Sequence, residues 1–277
     1  MEQILSAGLK NLEIVSFDTE TSGAFPVGND IVELAAVKWK NGEIIGEFQS
    51  LIKPREPMGD FIISIHRITN EMVSDAPTME TVLPSFLSFI GEAVLVAHHA
   101  PFDLGFLAYD IERLGYRLPQ NRVLCSSLLS RTLISGAPNH RLQTLVEFLN
   151  LHKGDAHRAL DDSKACLGLL LECFSRLSHD CTLEKVMELM GKDLSWRRYS
   201  LEYYRKSEHW FSSLIDSINQ KSTFRFLYGG KTYPEEKIKI CQGVVRNPDG
   251  DFIACVDPQP DPTARPKRYY LSRIRGV

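Results

Sequence analysis

Two carboxylates stand two residues apart in FDTETSG, at Asp18 and Glu20. At the end of a β-rich run, that spacing puts both on one face of a strand. Like charges so close repel unless something positive lies between them. The ordinary alternative is that one caps a turn while the other is solvated. A third acid, Asp103, opens a helical segment in HHAPFDLGFL, where N-capping is the ordinary alternative. A fourth comes from HRALDDSKAC, residues 157–166. On a helix starting there, Asp161 projects with Lys164, Glu172, Ser175 and Arg176 on the polar side. Asp162 projects with Cys166, Leu169 and Cys173, on the flank of the apolar face. Asp161 therefore reads as a solvated acid of the first helical turn, favoured there by the helix dipole. Asp162 turns inward and needs a partner, whether an arginine, a cap or a metal ion.

Four carboxylates at strand and helix ends, with no thiolate and little imidazole, suit hard cations such as Mg²⁺ or Mn²⁺. Two such ions are a standard device for cutting a phosphodiester. His157 lies five residues before Asp162, in a loop containing Gly154, and could take a proton from water. A lone loop histidine is usually an exposed bystander. Its pairing with an inward aspartate is what gives it a role.

The elements that must position these groups can be read from periodicity. LEIVSFD (12–18) is a strand, followed by IVELAAVKW (31–39) and EIIGEFQSLI (43–52), joined across the hairpin signal Asn41-Gly42. A helix is predicted over METVLPSFLSFI (79–90), a buried strand over AVLVAH (93–98), and a helix over 102–115 closed by Gly115. Shorter helices cover 126–134 and 141–149, and the Asp162 helix runs to about Leu177. A meander followed by alternating helices and strands implies an α/β layer with a mixed sheet. Residues 182–221 read as helical, with Tyr203, Trp210, Leu214 and Ile218 as an apolar stripe. From Thr223 the pattern changes to a small antiparallel β unit.

Charge divides along the same line. Residues 1–180 carry 15 Lys and Arg against 23 Asp and Glu, and residues 181–277 carry 17 against 12. The imbalance points to two units with different partners. The six cysteines lack CxxC spacing, so reduced thiols in a cytoplasmic protein are expected, without zinc. No apolar run reaches membrane-spanning length, and MEQILSAGLKN lacks the pattern of a signal peptide, so no membrane partner is expected.

FDTETSG, HHAPFDLGFL and HRALDDSKA resemble, in order and spacing, the three motifs of the DnaQ-like 3′→5′ exonucleases of the DEDD superfamily, in the subgroup with a histidine in the third motif. DIVELAAVKW, IHRITNEMVSDAP and LQTLVEFLNL extend the resemblance over about residues 11–178. His99 departs from it, standing where many members have asparagine. The resemblance implies a ribonuclease H-like fold with a mixed five-stranded sheet and flanking helices. It implies that Asp18, Glu20, Asp103 and Asp162 hold two divalent ions, Mg²⁺ or Mn²⁺, with His157 as general base, and that nucleoside monophosphates are released. Thr21, Ser22 and Gly23 would receive the terminal nucleotide, with His98, His99 and Phe102 as further substrate contacts. Glu33 and His66 fall on recurrent family positions without an assigned catalytic role.

Residues 212–231, 244–257 and 267–277 resemble a WYL domain, a small Sm-like antiparallel β-barrel. Asp251-Phe252-Ile253 near the namesake triplet and Cys241 in place of a common proline are departures. Such barrels bind nucleic-acid or nucleotide ligands through basic side chains, and Arg225, Arg246, Arg268 and Arg273 are the candidates here. Ordinary strand-exposed charge is the competing reading for each. In the connector SWRRYSLEYYRKSEHW, Arg197, Arg198, Arg205 and Lys206 are expected to be free for phosphates.

The expected organisation is an exonuclease domain at 1–180, a helical connector at 181–211 and a WYL-like barrel at 212–277. The expected partner is nucleic acid with a free 3′ end, single-stranded DNA foremost and RNA second. A different class of function is a catalytically silent or regulated sensor, in which the barrel binds a nucleotide or nucleic-acid effector. DNA or RNA preference, biological role and oligomeric state are not set by any motif.

Overall fold

A computed structural model describes residues 8–151, 154, 156–178, 180–259 and 265–277. The start of MEQILSAGLKN, residues 1–7, lies outside the described residues. Two compact units divide the chain. The first comprises residues 1–22, 31–103 and 119–195, and the second residues 23–30, 104–118 and 196–277.

In the first unit, β1 (Ile14–Thr21), β2 (Ile31–Lys40) and β3 (Glu43–Leu51) form an antiparallel meander. Asn41 and Gly42 both take positive φ, 52° and 95°, the two-residue turn that their sequence favours. Short helices α1 (Asp60–His66) and α2 (Asn70–Val73) precede α3 (Met79–Ile90). Next comes β4 (Val94–Ala97), and helix α4 (Pro101–Arg113) leads to β5 (Val123–Cys125). β4 pairs parallel to β1, and β5 parallel to β4, giving the order β3-β2-β1-β4-β5. This is the expected mixed five-stranded sheet with flanking helices.

Helices α5 (Ser126–Leu133), α6 (Leu142–Phe148) and α7 (Ala159–Ser175) follow, and α7 packs on β1 and β2. Ala159, Ser163, Ala165 and Cys166 are buried along α7, and small side chains let it sit close to the sheet. The Ser163 hydroxyl donates to the Ala159 carbonyl at 2.7 Å and lies 3.2 Å from that of Ala35 on β2. Under α3, Phe17 and Phe86 meet edge-on at 6.2 Å between ring centres, and Phe48 meets Phe86 at 5.6 Å. The unit closes with α8 (Leu183–Met190), ended by Gly191 in the left-handed region.

Residues 182–221, expected to be helical, are helical in separate pieces: after α8, residues 196–219 of the second unit form α9 (Trp196–Tyr199), α10 (Glu202–Ser207) and α11 (Phe211–Asn219). The helical register restarts at each break, so the apolar stripe fails at its first member. Tyr203 is 63% exposed, while Trp210, Leu214 and Ile218 are buried with Phe211, Phe224 and Phe226.

Where a barrel was expected, the described residues show a five-stranded antiparallel sheet. Its strands β6 (Thr223–Gly229), β7 (Pro234–Val245), β8 (Phe252–Val256), β9 (Lys267–Tyr270) and β10 (Ile274–Gly276) lie in the order β10-β6-β7-β8-β9. No pairing joins β9 to β10 among the described residues. Closure depends on pairing between the outermost strands, which alternation within each strand cannot report. Within this unit the 23–30 segment lies so close to β7 that a Cβ on Gly28 would fall 2.1 Å from the Gln242 carbonyl oxygen.

The basic side chains depart from the sequence reading. Arg246 is buried and ion-paired to Asp251 at 3.2 Å, and it donates to the Ser200 carbonyl. Arg198 pairs with the same Asp251, which also accepts from the Tyr204 hydroxyl at 2.8 Å. Arg225 pairs with Glu236, and Arg205 and Lys206 both pair with Glu202. Arg268 and Arg273 lie over the Phe252 and Tyr228 rings at 4.8 and 5.0 Å. The expected set of free phosphate-binding cations is thus largely occupied by contacts within the unit.

Candidate active site

The site is built on the first unit. β1 carries Asp18 and Glu20 two residues apart, opposite Ala35 and Glu33 of β2. The strand extends three residues beyond the predicted end, so Thr19 and Thr21 are strand residues on its other face, both buried. Asp103, in the first turn of α4, is 2% exposed, and its Oδ1 accepts from the Thr19 amide at 3.1 Å and hydroxyl at 2.8 Å. Those two bonds fix the third acid to the strand bearing the first two.

Asp162 is buried, as its helical phase implied, and Asp161 is half-buried beside Gly154. Asp162 Oδ2 accepts from the His157 amide at 2.8 Å, and its Oδ1 from Gln143 Nε2 at 2.8 Å. His157 takes φ 63°. Left-handed backbone is uncommon for a residue with a Cβ and persists where its surroundings hold it. Here they do. Arg67 Nη2 donates to the Ala156 carbonyl at 2.9 Å, and Arg158 ion-pairs with Glu33 at 3.0 Å. The Ala159 amide also donates to Glu33, at 3.0 Å. Glu33, fully buried on β2, further accepts from Gln49 at 2.9 Å.

Glu20, His157 and Asp162 bring one donor atom each within 4.8 Å of one another. Burial pushes Asp18 well above the usual carboxylate range, and the charges of Asp103, Glu20 and Asp162 push it further. Burial, then Asp162, Glu33 and Asp103, raise Glu20 to about 8, against the pull of Arg158. Asp103 rises to about 7 through burial, opposed by its bonds from Thr19. Burial also raises Asp162, against the His157 amide. Glu33 goes the other way: burial raises it, but Arg158, Gln49 and the Ala159 amide together hold it below its ordinary value. The structure therefore separates one satisfied carboxylate from four that crowd each other. That oxygen-rich, mutually repelling set is the chemistry a hard divalent cation relieves.

These shifts set the pH response of the metal-free protein. Folded-state Glu20 and Asp103 hold protons that the unfolded chain has released, so stability falls as pH rises. The fall for Glu20 is expected between about pH 4.5 and 8. Thermal midpoints in chelator across that range check it. Glu20→Gln should flatten the slope, and an unchanged slope would contradict the assignment.

A cavity of about 1050 Å³ opens beside the acids, lined by Asp18, His157 and Asp162 and, from 127–144, by Ser127, Arg131, Asn139, His140, Arg141 and Gln143. His98 and His99 line it too. His98 is less available than expected, because its ring nitrogens meet the Ser126 hydroxyl at 2.8 Å and the His140 carbonyl at 3.0 Å. Burial, then nearby cationic groups, lower it to about 4, so it stays neutral. His99 has φ 66° and is exposed, whereas Phe102 is half-buried. Ser22 belongs to the first unit and Gly23 to the second, where a Cβ on it would meet the Asn29 side chain. His66 is buried, its Nδ1 accepting from the Ile68 amide at 3.0 Å. Sequence reasoning missed Gln143, Arg158, Arg67 and the cavity-lining Arg131 and Arg141. Of these, only the adjacency of Arg158 to His157 was visible in the chain.

A mixed five-stranded sheet that gathers four acids and a histidine at its strand and helix ends defines an α/β nuclease-type fold. The sequence pattern of the family described as Exonuclease, RNase_T, matches residues 15–170, and the chain belongs to that family. It is 44% identical over 162 residues to the PolC-type DNA polymerase III of Halalkalibacterium halodurans, covering 58% of this chain and 11% of that protein. To the corresponding polymerase of Caldanaerobacter subterraneus subsp. tengcongensis it is 32% identical over 241 residues, 84% of this chain and 17% of that one. The chain thus spans only a small part of these curated relatives. Among solved structures, exonuclease X in complex with 5′-overhanging duplex DNA is similar at TM-score 0.52 and 29% identity, covering 64% of this chain and 99% of that one. Exonuclease I shares the fold at TM-score 0.55 and 14% identity, over 88% of this chain and 55% of that one. No helix among the described residues is long and apolar enough to cross a membrane.

Proposed function

We propose that this chain is a metal-dependent 3′→5′ exonuclease of the histidine-containing DEDD subgroup, releasing nucleoside 5′-monophosphates from DNA, and from RNA as a second substrate. The observation that carries the reading is the convergence of Glu20, Asp162 and His157 within 4.8 Å at the edge of a large cavity that also exposes Asp18. Asp18, Glu20, Asp103 and Asp162 are the proposed ligands of two Mg²⁺ or Mn²⁺ ions. When bound there, the cations supply the positive charge that a phosphodiester and its departing oxygen need in order to enter and react among carboxylates.

The chain's own residues do the rest. His157 is exposed to the cavity and takes the proton of the attacking water. The Asp162 bond to its amide, with Glu33 and Arg67 on either side, holds the imidazole where that transfer occurs. Thr21, Ser22, His99 and Phe102 are proposed to receive the terminal nucleotide, and His98 to shape the cavity wall. Exonuclease X supports this reading, since that protein was solved with duplex DNA.

We further propose a nuclease domain over about 1–180, a connector, and a WYL-like C-terminal module that contacts nucleic acid through Arg225, Arg268 and Arg273, in a cytoplasmic protein. Arg246 is dropped from that set because its guanidinium is buried against Asp251.

Digestion of 5′-labelled single-stranded DNA, duplex DNA and RNA with Mn²⁺, Mg²⁺ or chelator tests the reading. Stepwise shortening from the 3′ end, abolished by chelator, is the expected result. Shortening from the 5′ end, or full activity in chelator, would overturn it. His157→Ala should lower kcat by about 10²–10⁴-fold, the usual contribution of a positioned general base.

A further inference from the structure

The cavity beside the carboxylates also has a cationic part to its lining. Arg131 on α5 and Arg141 just before α6 both line it, and both are exposed. Neither has an ion-pair partner among the described residues, whereas Arg158, Arg113 and Arg176 are each paired to a carboxylate. Asn139 and Thr144 add polar side chains to the same lining. Burial and the charge of Arg131 lower His98, His99 and His140 below the ordinary imidazole value. Arginine is the residue suited to a phosphate, which its planar fork meets with two bonds. At about 1050 Å³ the cavity stands at the upper limit of single-ligand pockets, roughly 300–1,000 Å³, leaving room for more than one nucleotide.

From this arrangement we infer that Arg131 and Arg141 grip the phosphates of the nucleotides preceding the scissile bond, making the 127–144 wall a strand-holding subsite. The inference rests on the exonuclease reading for the direction of the strand. Its physical basis is separate: two guanidinium groups, without an ion-pair partner among the described residues, line the same cavity as Asp18 and Asp162. A polynucleotide is attracted by the arginines and repelled by the carboxylates until cations are bound. The subsite therefore supplies affinity that grows with strand length, and a dinucleotide, with one internucleotide phosphate, gains little from it.

The test uses the whole chain and its Arg131→Ala/Arg141→Ala double variant. KM is measured for a ten-nucleotide thymidylate strand and for the thymidylate dinucleotide. The double variant is expected to raise KM at least tenfold for the long strand and less than threefold for the dinucleotide. A parallel rise for both, or none, would overturn the inference. Binding of the 5′-fluorescent ten-nucleotide strand by Asp18→Asn protein, read by anisotropy, needs no turnover. There the arginine pair should strengthen binding at least tenfold and contribute about 1.4 to the slope of log Kd against log salt, about 0.7 per phosphate held on a single strand. If the intact protein releases no nucleotide but the arginine variant still binds weakly, the exonuclease reading falls and the subsite stands. If nucleotide is released while binding and KM are unchanged in the variant, the subsite falls and the exonuclease reading stands. Both arginines are exposed, so thermal midpoints of the variant and parent should agree, which separates lost grip from lost folding.

Discussion

Asp18→Asn is expected to abolish nucleotide release and, in metal-free solution, to raise the thermal midpoint. The two effects share one cause. Asp18 lies among Asp103, Glu20 and Asp162, and burial together with their charge pushes its carboxyl far above the usual range. Asparagine keeps the shape and removes one charge from the crowd, so the metal-free fold loses repulsion without gaining a cavity. A rise of at least about 2 °C is expected, since 1 kcal/mol corresponds to roughly 2–4 °C in a chain of this size. Activity should fall by about 10³-fold or more, the scale on which loss of a central catalytic group acts. Calorimetry in chelator and a labelled-strand assay in Mn²⁺ measure the pair. A variant that keeps more than about a hundredth of the activity would remove Asp18 from the proposed machinery. A lower midpoint would mean that the acid stabilises the apo fold instead of straining it.

Glu33→Ala is expected to have the largest effect on stability. Glu33 is fully buried and accepts from Arg158, Gln49 and the Ala159 amide. Its removal strands three donors, one of them charged. Breaking a buried ion pair costs about 3–5 kcal/mol. The Arg158 side chain is 34% exposed, so water can partly replace the lost partner and the lower figure, about 3 kcal/mol, applies. The midpoint should then drop by roughly 6–12 °C. Since Glu33 also anchors the turn that holds His157 in its left-handed conformation, kcat should fall by up to about 10²-fold, the cost of a misplacement near 1 Å. Glu33→Gln keeps acceptor and donor capacity without the charge, and should recover part of both losses. If Glu33→Ala melts with the parent protein, the clamp is not what holds the turn.

The sequence alone determined whatever depends on neighbours within one element. A period of two on β1 put Asp18 and Glu20 on one face, and the helical period of α7 turned Asp162 inward before any fold was known. The Asn41-Gly42 turn, the strand order of the meander and the helix at 79–90 were legible for the same reason. Three ordered motifs then tied these local facts to a family.

What the tertiary structure decided involves partners far apart in the chain. Glu33 meets Arg158 across 125 positions, and Thr19 meets Asp103 across 84. No periodicity reports either contact. The same limit explains the errors. Arg246 and Arg198 look like free cations in the chain until folding brings Asp251 to them, and Tyr203 looks buried until breaks in the helix reset its phase. Local pattern fixes the direction of a side chain relative to its own backbone. Whether that direction ends in solvent, a carboxylate or a cavity depends on which distant segment packs there, and only the packed chain settles it.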